Sequence, residues 1–237
     1  MKIANLINKK LLGLKYRRTR KEELHKANEL VNTTIPEVLE SFENFKKNGQ
    51  ISSDRQPIKG YDLWTVLERR KPRFIVELGS GTTSAVFASW ANRNGAKYVS
   101  HESHDGWHKV TTESIGNIPL KNDSEIRYIP SVTNSSETAT HFSEPIPEGA
   151  DFVYIDGPPC KLESGKKVPN EDIIHFFETG ARPKTIVIDG RVETADLIRE
   201  HKAGKEYDFY PSFNYSILRN FELHKMSVTD HSVFELK

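Results

Sequence analysis

The 237-residue chain has a single cysteine, Cys160. One thiol excludes an internal disulfide and any zinc site built from cysteines alone, and it points to a reducing, cytoplasmic setting. No apolar run approaches the roughly 20 residues that a membrane-spanning helix requires. The N-terminus is basic, but it lacks an unbroken apolar core followed by a small-residue cleavage site, so no secretory signal is expected. There is no internal repeat. What remains is 36% hydrophobic and 28% charged. That composition can bury a core beneath a well-charged surface, and the length suits one α/β domain with additions.

Net charge is almost absent at +1, but its distribution is uneven. Residues 1–21 carry eight Lys or Arg and no acid, and the rest balances to −7. In this basic leader Ile3, Leu6, Ile7, Leu11 and Leu14 fall near helical spacing. The leader is thus expected either to contact an anionic membrane peripherally or to be a solvated arm or packed helix. Nucleic acid is disfavoured as a partner, because the remaining sequence offers no matching basic surface studded with aromatics.

From Glu22 to Lys47 the apolar spacing predicts helix, broken near Thr33-Thr34-Ile35-Pro36, with Thr34 as a cap and Pro36 in the new first turn. Asn48-Gly49 closes the second helix. A polar loop over residues 49–59 precedes a helix from Tyr61 to Arg70, which Lys71-Pro72 stops. Beyond Pro72 short apolar runs alternate with helical segments: Phe74–Leu78, Tyr98–His101, Ile126–Ile129, Phe152–Ile155 and Thr185–Ile188. Nearly continuous apolar runs suit parallel strands covered on both faces. Helices are expected at Ser84–Asn94, Asn170–Thr179 and Glu193–His201, and an antiparallel strand pair at Asn214–Leu218 and Val233–Leu236. This alternation predicts a doubly wound α/β sheet over residues 73–237, with the basic leader and N-terminal helices occupying 1–72.

The first of these strands ends in Glu77-Leu78-Gly79-Ser80-Gly81-Thr82-Thr83-Ser84. Two glycines without Cβ let the backbone turn tightly and a ligand come close, and the next helix begins with its free N–H groups nearby. In doubly wound sheets ligands bind at such carboxyl ends. An acid before the glycines suits an ammonium better than a phosphate. Glu102 closes the second strand, 21 residues after Gly81, where a carboxylate can accept ribose hydroxyls.

These residues resemble the class I S-adenosylmethionine-dependent methyltransferases. "VELGSGTTS" resembles their first motif, "HES" the acidic second motif and "DFVYIDGPP" the fourth, while "KTIVIDGR" fits the fifth strand. The resemblance spans roughly residues 61–237, and it departs from the commoner pattern at Thr83, where many members have a third glycine. A dinucleotide-binding oxidoreductase fits less well, because Ser84 stands where the last glycine of G-x-G-x-x-G belongs. The resemblance implies a Rossmann-like methyltransferase sheet and S-adenosylmethionine as methyl donor. It places Glu77 and the Gly79-Ser80-Gly81 backbone near the methionine moiety, Glu102 at the ribose and Ser131 near the adenine, with Thr83 also among the donor-binding residues. Asp156 would lie beside the transferring methyl, touching the donor or acting as catalytic base.

Methyl transfer is an in-line displacement, so the protein supplies alignment, and a neutral hydroxyl acceptor also needs a base or a metal. Asp156 and Asp189 end neighbouring strands, and such a pair suggests Mg²⁺. A divalent metal is nonetheless not favoured, because Gly190 stands where related O-methyltransferases place a third ligand, an Asn. Arg191 is expected to meet an anionic part of the acceptor or to form a surface ion pair. "DGPPC" fits neither the Asp/Asn-Pro-Pro-aromatic motif of amine methyltransferases nor, with its partner motifs missing, the cysteine nucleophile of cytosine-C5 enzymes. His101, His104 and His108 have spacings compatible with zinc, but no completing Glu or Cys. Trp107 either covers the adenine or anchors a helix, and Lys161–Pro169 lies where an acceptor lid would be. The leading expectation is O-methylation of a small molecule or glycan. The alternatives are a methyltransferase acting on nucleic acid or protein, and a non-catalytic partner- or membrane-binding protein of the same fold.

Overall fold

The computed structural model describes residues 22, 25–29, 31–49, 56–219, 221 and 231–237. The basic leader, with its expected membrane contact, lies outside them. Among the described residues no helix is long and apolar enough to cross a membrane.

Helical residues 25–29 and 31–34 lead to α1 (Pro36–Lys47). Pro36 does open α1, but Thr34 is not its cap. Ile35 holds the cap position without a side-chain bond, and the Thr34 carbonyl accepts from Arg93 Nη1 at 2.5 Å. Helix α2 (Gln56–Arg70) starts five residues before the expected Tyr61. Strand β1 (Phe74–Leu78) and α3 (Thr82–Asn94) follow, then β2 (Lys97–Glu102) and α4 (Asp105–Ser114). Next come β3 (Glu125–Tyr128), β4 (Ser131–Thr133), β5 (Thr140–Phe142) and β6 (Phe152–Ile155). The chain then runs through α5 (Asp172–Glu178), β7 (Thr185–Asp189), α6 (Val192–Glu200), β8 (Tyr207–Tyr210), α7 (Phe213–Arg219) and β9 (His231–Leu236).

Seven strands form one sheet in the order β3-β2-β1-β6-β7-β9-β8. The first five are parallel neighbours, and β9 runs antiparallel to both β7 and β8. Strands β4 and β5 form a separate antiparallel pair. The expected closing pair exists, but its first member is Tyr207–Tyr210. Asn214–Leu218 is helical instead, because Ser212 accepts the Tyr215 amide at 3.2 Å and caps α7.

Strand periodicity of two divides the core. Ile75, Phe152, Tyr154 and Val187 face a cluster with Leu63, Trp64, Leu67, Phe87 and Trp90 of α2 and α3. Val76, Val153, Ile155, Ile186 and Ile188 face the opposite cluster with Ile173, Phe177, Ala195 and Ile198 of α5 and α6. Phe87 packs within 5.2–6.1 Å, ring centre to ring centre, of Tyr98, Phe152 and Tyr154. Truncating such a ring typically costs about 3–5 kcal/mol. Helices that precede the sheet in sequence thus share its core. The order of strands reverses between β1 and β6, and the crevice of a doubly wound sheet opens at that switch.

Candidate functional site

A cleft of about 430 Å³ lies at the carboxyl ends of β1, β2, β6 and β7. That volume is in the range of small-molecule pockets. Its walls include Ser80, Gly81, Glu102, Asp156, Asp189 and Lys59.

The two glycines of the first turn have different reasons to be glycine. Gly79 has φ +92°, and a Cβ there would stand 2.5 Å from the Gly157 amide nitrogen. Gly157 is equally tight: its Cβ would meet Gly79 Cα at 2.5 Å. The ends of β1 and β6 therefore touch backbone to backbone, and this contact explains the glycine between Asp156 and Pro158. Gly81 is extended, with φ 166°, and a Cβ there would meet no atom of the described residues within 4 Å. Its open space faces the cleft.

Glu77 does not line the cleft. It is fully buried beneath the turn, where Thr83 Oγ1 and Ser84 Oγ each donate to it at 2.6 Å and the Tyr98 hydroxyl donates as well. Ser84 Oγ in turn accepts the Gly81 amide at 3.0 Å, so one hydroxyl links turn and carboxylate. This explains a serine where a dinucleotide fingerprint has its last glycine. Burial pushes the Glu77 carboxyl up to about 7, against the pull of these hydroxyls.

Glu102 is 6% exposed and lines the cleft. Its Oε2 accepts the Ser80 amide at 2.8 Å and the Ser80 hydroxyl at 2.9 Å, and Oε1 accepts the His104 amide at 2.8 Å. The Ser80 hydroxyl also lies 3.2 Å from Thr111 Oγ1. A carboxylate offers about four acceptor positions. One stays open on Oε1, and a second opens on Oε2 when Ser80 turns its proton to Thr111.

Asp156 and Asp189 end adjacent parallel strands, where Ile155 is paired with Ile188. Asp156 keeps 47% of its side-chain surface open. Burial of the remainder, then the Asp189 charge, pushes its pKa up to about 7. Burial also works against the charge on Asp189, but His231, Lys59 and the Tyr154 hydroxyl outweigh it and hold that carboxyl low. Lys59 Nζ donates to Asp189 Oδ2, and Tyr154 donates to the same oxygen at 3.2 Å.

Four successive carbonyls of the turn after β6 are each held by a side chain. Arg191 binds those of Asp156 and Pro158, Asn170 Nδ2 binds that of Gly157 at 2.8 Å, and Thr140 Oγ1 binds that of Pro159 at 3.1 Å. Asn170 is itself fully buried and bonded to Asp172 at 2.7 Å. Arg191 is thus committed to the turn and, at 3.5 Å, to the Asp156 carboxylate.

Of the sequence-derived candidates, the cleft brings together Gly79, Ser80, Gly81, Thr83, Glu102 and Asp156. Ser131 opens the exposed strand β4 and is not in its wall. Trp107 is 38% exposed and lines the cleft next to His104. The three histidines diverge. His104 caps α4, His108 bonds the Ile126 carbonyl at 3.1 Å, and His101 is fully buried, its pKa lowered to about 4 by burial and then by Arg127. Cys160 is a free, half-buried thiol outside the wall. Lys161–Pro169 folds as a small hairpin through the Lys161–Lys167 bridge and is likewise not in the wall. Sequence reasoning missed Lys59, Asn170 and Gly157. Only Gly157 left a signal, a glycine interrupting Asp-Pro-Pro.

No protein-family model and no curated protein matches the chain. Solved structures do. An SAH-bound methyltransferase from Podospora anserina aligns over 85% of this chain and 88% of its own, at 14% identity and a TM-score of 0.53. An O-methyltransferase from Bacillus cereus in complex with SAH aligns over 90% of this chain and 97% of its own, at 15% identity and a TM-score of 0.53. With the sheet order and the cleft at the strand switch, these likenesses establish that the chain has the doubly wound, Rossmann-like fold of class I methyltransferases.

Proposed function

We propose that the protein is an S-adenosylmethionine-dependent methyltransferase acting on a hydroxyl of a small molecule or glycan. The observation that carries this reading is the pairing of Gly81 with Glu102 in one cleft wall. At Gly81 the protein leaves empty the volume a side chain would fill, and Glu102 retains acceptor capacity for two hydroxyls. A nucleoside seated against the turn would use both. SAH in the two related structures is the demethylated form of the same donor.

Bound S-adenosylmethionine would supply the electrophilic methyl group. Glu102 and the Ser80–Gly81 backbone orient the nucleoside, with Thr82 and Thr83 beside it at the start of α3. Glu77 acts indirectly, as the buried tie that fixes the turn. Asp156, half open to the cleft and titrating near neutrality, accepts the acceptor hydroxyl proton. Arg191, Asn170 and Thr140 hold the Asp156 turn still while this occurs. The single cysteine supports a cytoplasmic location.

Calorimetric titration with S-adenosylmethionine tests the donor site. Glu102→Ala is expected to weaken binding at least tenfold, about 1.4 kcal/mol. Equal affinity in the variant removes the ribose assignment. Labelled donor incubated with cell-extract fractions tests the acceptor: label is expected in small-molecule or glycan fractions, and label confined to nucleic acid or protein contradicts the proposal.

A further inference from the structure

The acceptor end of the cleft poses a charge problem. Asp156 and Asp189 leave adjacent paired strands, whose backbones run about 4.8 Å apart. Two carboxylates this close in a cleft repel unless cations compensate them. Hard divalent ions with oxygen ligands are one solution. This chain contains another. The Lys59 ammonium sits on Asp189 Oδ2, the Arg191 guanidinium lies 3.5 Å from Asp156 Oδ1, and His231 is paired with Asp189 in register.

Of these, Arg191 is committed to the carbonyls of Asp156 and Pro158. Lys59 comes from α2, 130 residues before its partner, whereas Arg191 and His231 belong to segments at the sheet itself or directly after it. The place of Lys59 is fixed by α2, whose Ile58 is buried and whose Leu63, Trp64 and Leu67 join the core cluster that includes Ile75, Phe152 and Tyr154 of the sheet. At Gly60 the helix packs beside Phe42 of α1 and Val86 of α3, where a Cβ would make ordinary contacts at 3.4 and 3.5 Å. The Lys59 side chain is 25% exposed and lines the cleft.

We propose that Lys59 is a positioning residue, a tethered counter-ion that occupies the cation position at the paired strand-end carboxylates. It holds Asp189 ionised and leaves Asp156 as the group that exchanges a proton with the acceptor. The inference rests on the methyl-transfer reading for the use made of the cluster, but the charge arrangement is testable without donor or acceptor.

The test is titration of Mn²⁺ into the full chain, following the free-ion signal by electron paramagnetic resonance. Lys59→Met removes the ammonium and leaves the two carboxylates facing the cleft. It is expected to bind Mn²⁺ at least tenfold more tightly than the wild type. Lys59→Arg restores a cation and should match the wild type, and Asp189→Asn added to Lys59→Met should abolish the gain. Circular dichroism and thermal melting check that each variant folds, with Lys59→Gln as the substitute should Lys59→Met not fold. The proposal is overturned by wild-type Mn²⁺ binding as tight as that of the lysine-less variants, by no gain in them, or by a gain that survives Asp189→Asn. A wild type that binds no S-adenosylmethionine overturns the methyl-transfer reading instead and leaves the Mn²⁺ result to judge Lys59.

Discussion

The two halves of the cleft stabilise their carboxylates by opposite means. At the ends of β1 and β2, Glu102 in the wall and Glu77 buried beneath the turn are surrounded by neutral donors: hydroxyls of Thr83, Ser84, Tyr98 and Ser80, and amides of Ser80 and His104. At the ends of β6 and β7, Asp156 and Asp189 face the cations Lys59 and Arg191, with His231 beside Asp189. A lattice of neutral donors fixes shape and changes little when a ligand arrives. A cluster of ion pairs fixes charge and responds to protons. The first suits holding a nucleoside, and the second suits managing the proton of an acceptor.

Breaking the charged half should have the largest effect. Asp156→Asn is expected to lower methyl transfer to the acceptor fraction about 10²–10⁴-fold, the usual contribution of a general base. Donor affinity, read by calorimetry, should stay within about twofold. In the wild type the rate should climb as pH passes about 7, where Asp156 loses its proton. A pH-independent rate across that range would remove Asp156 as the base.

Within the neutral half, the two glycines sharpen the contrast between architecture and ligand space. Gly79→Ala forces a Cβ into the Gly157 backbone at a positive φ. It should cost about 3 kcal/mol or more in denaturant melts, the scale of strained, overpacked sites. Gly81→Ala meets no atom of the described residues within 4 Å. Its melting curve should match the wild type while donor affinity falls about tenfold, or about 1.4 kcal/mol. Equal stability losses at both positions would erase the distinction.

Glu77 tests the neutral lattice through its proton. Its folded pKa, about 7, is raised above the ordinary value. The folded state therefore holds that proton more tightly than the unfolded one. The resulting stability is full below about 4.5 and is lost as pH rises through about 7. Comparing melts at pH 5 and pH 8, Glu77→Gln should flatten this decline by an amount on the order of 2–3 kcal/mol. An unchanged slope would place the titration elsewhere.

Much of this was legible in the chain because it is local. Continuous apolar runs mark β1, β6 and β7, and Glu102, Asp156 and Asp189 each close a run. Glycine spacing marked the turn, though not that Gly79 is required by Gly157 and Gly81 is not. Where local signals competed, the reading failed. "NYSIL" has strand-forming residues, yet Pro211-Ser212 before it is a helix start, and β8 fell to a short, half-polar "YDFY". Lys59 left no trace, because its meaning is a contact across 130 residues made by the packing of α2. Asn170 is equally silent, because its bond to the Gly157 carbonyl exists only once the turn after β6 has met the start of α5.

The central claim is that the hollow at Gly81 beside Glu102 receives the adenosyl donor. The most direct test is a crystal structure of the protein soaked with S-adenosylhomocysteine. The account predicts the ribose hydroxyls on the Glu102 carboxylate and the ligand packed against Gly81. Saturating ligand bound elsewhere, or absent from that hollow, would contradict it.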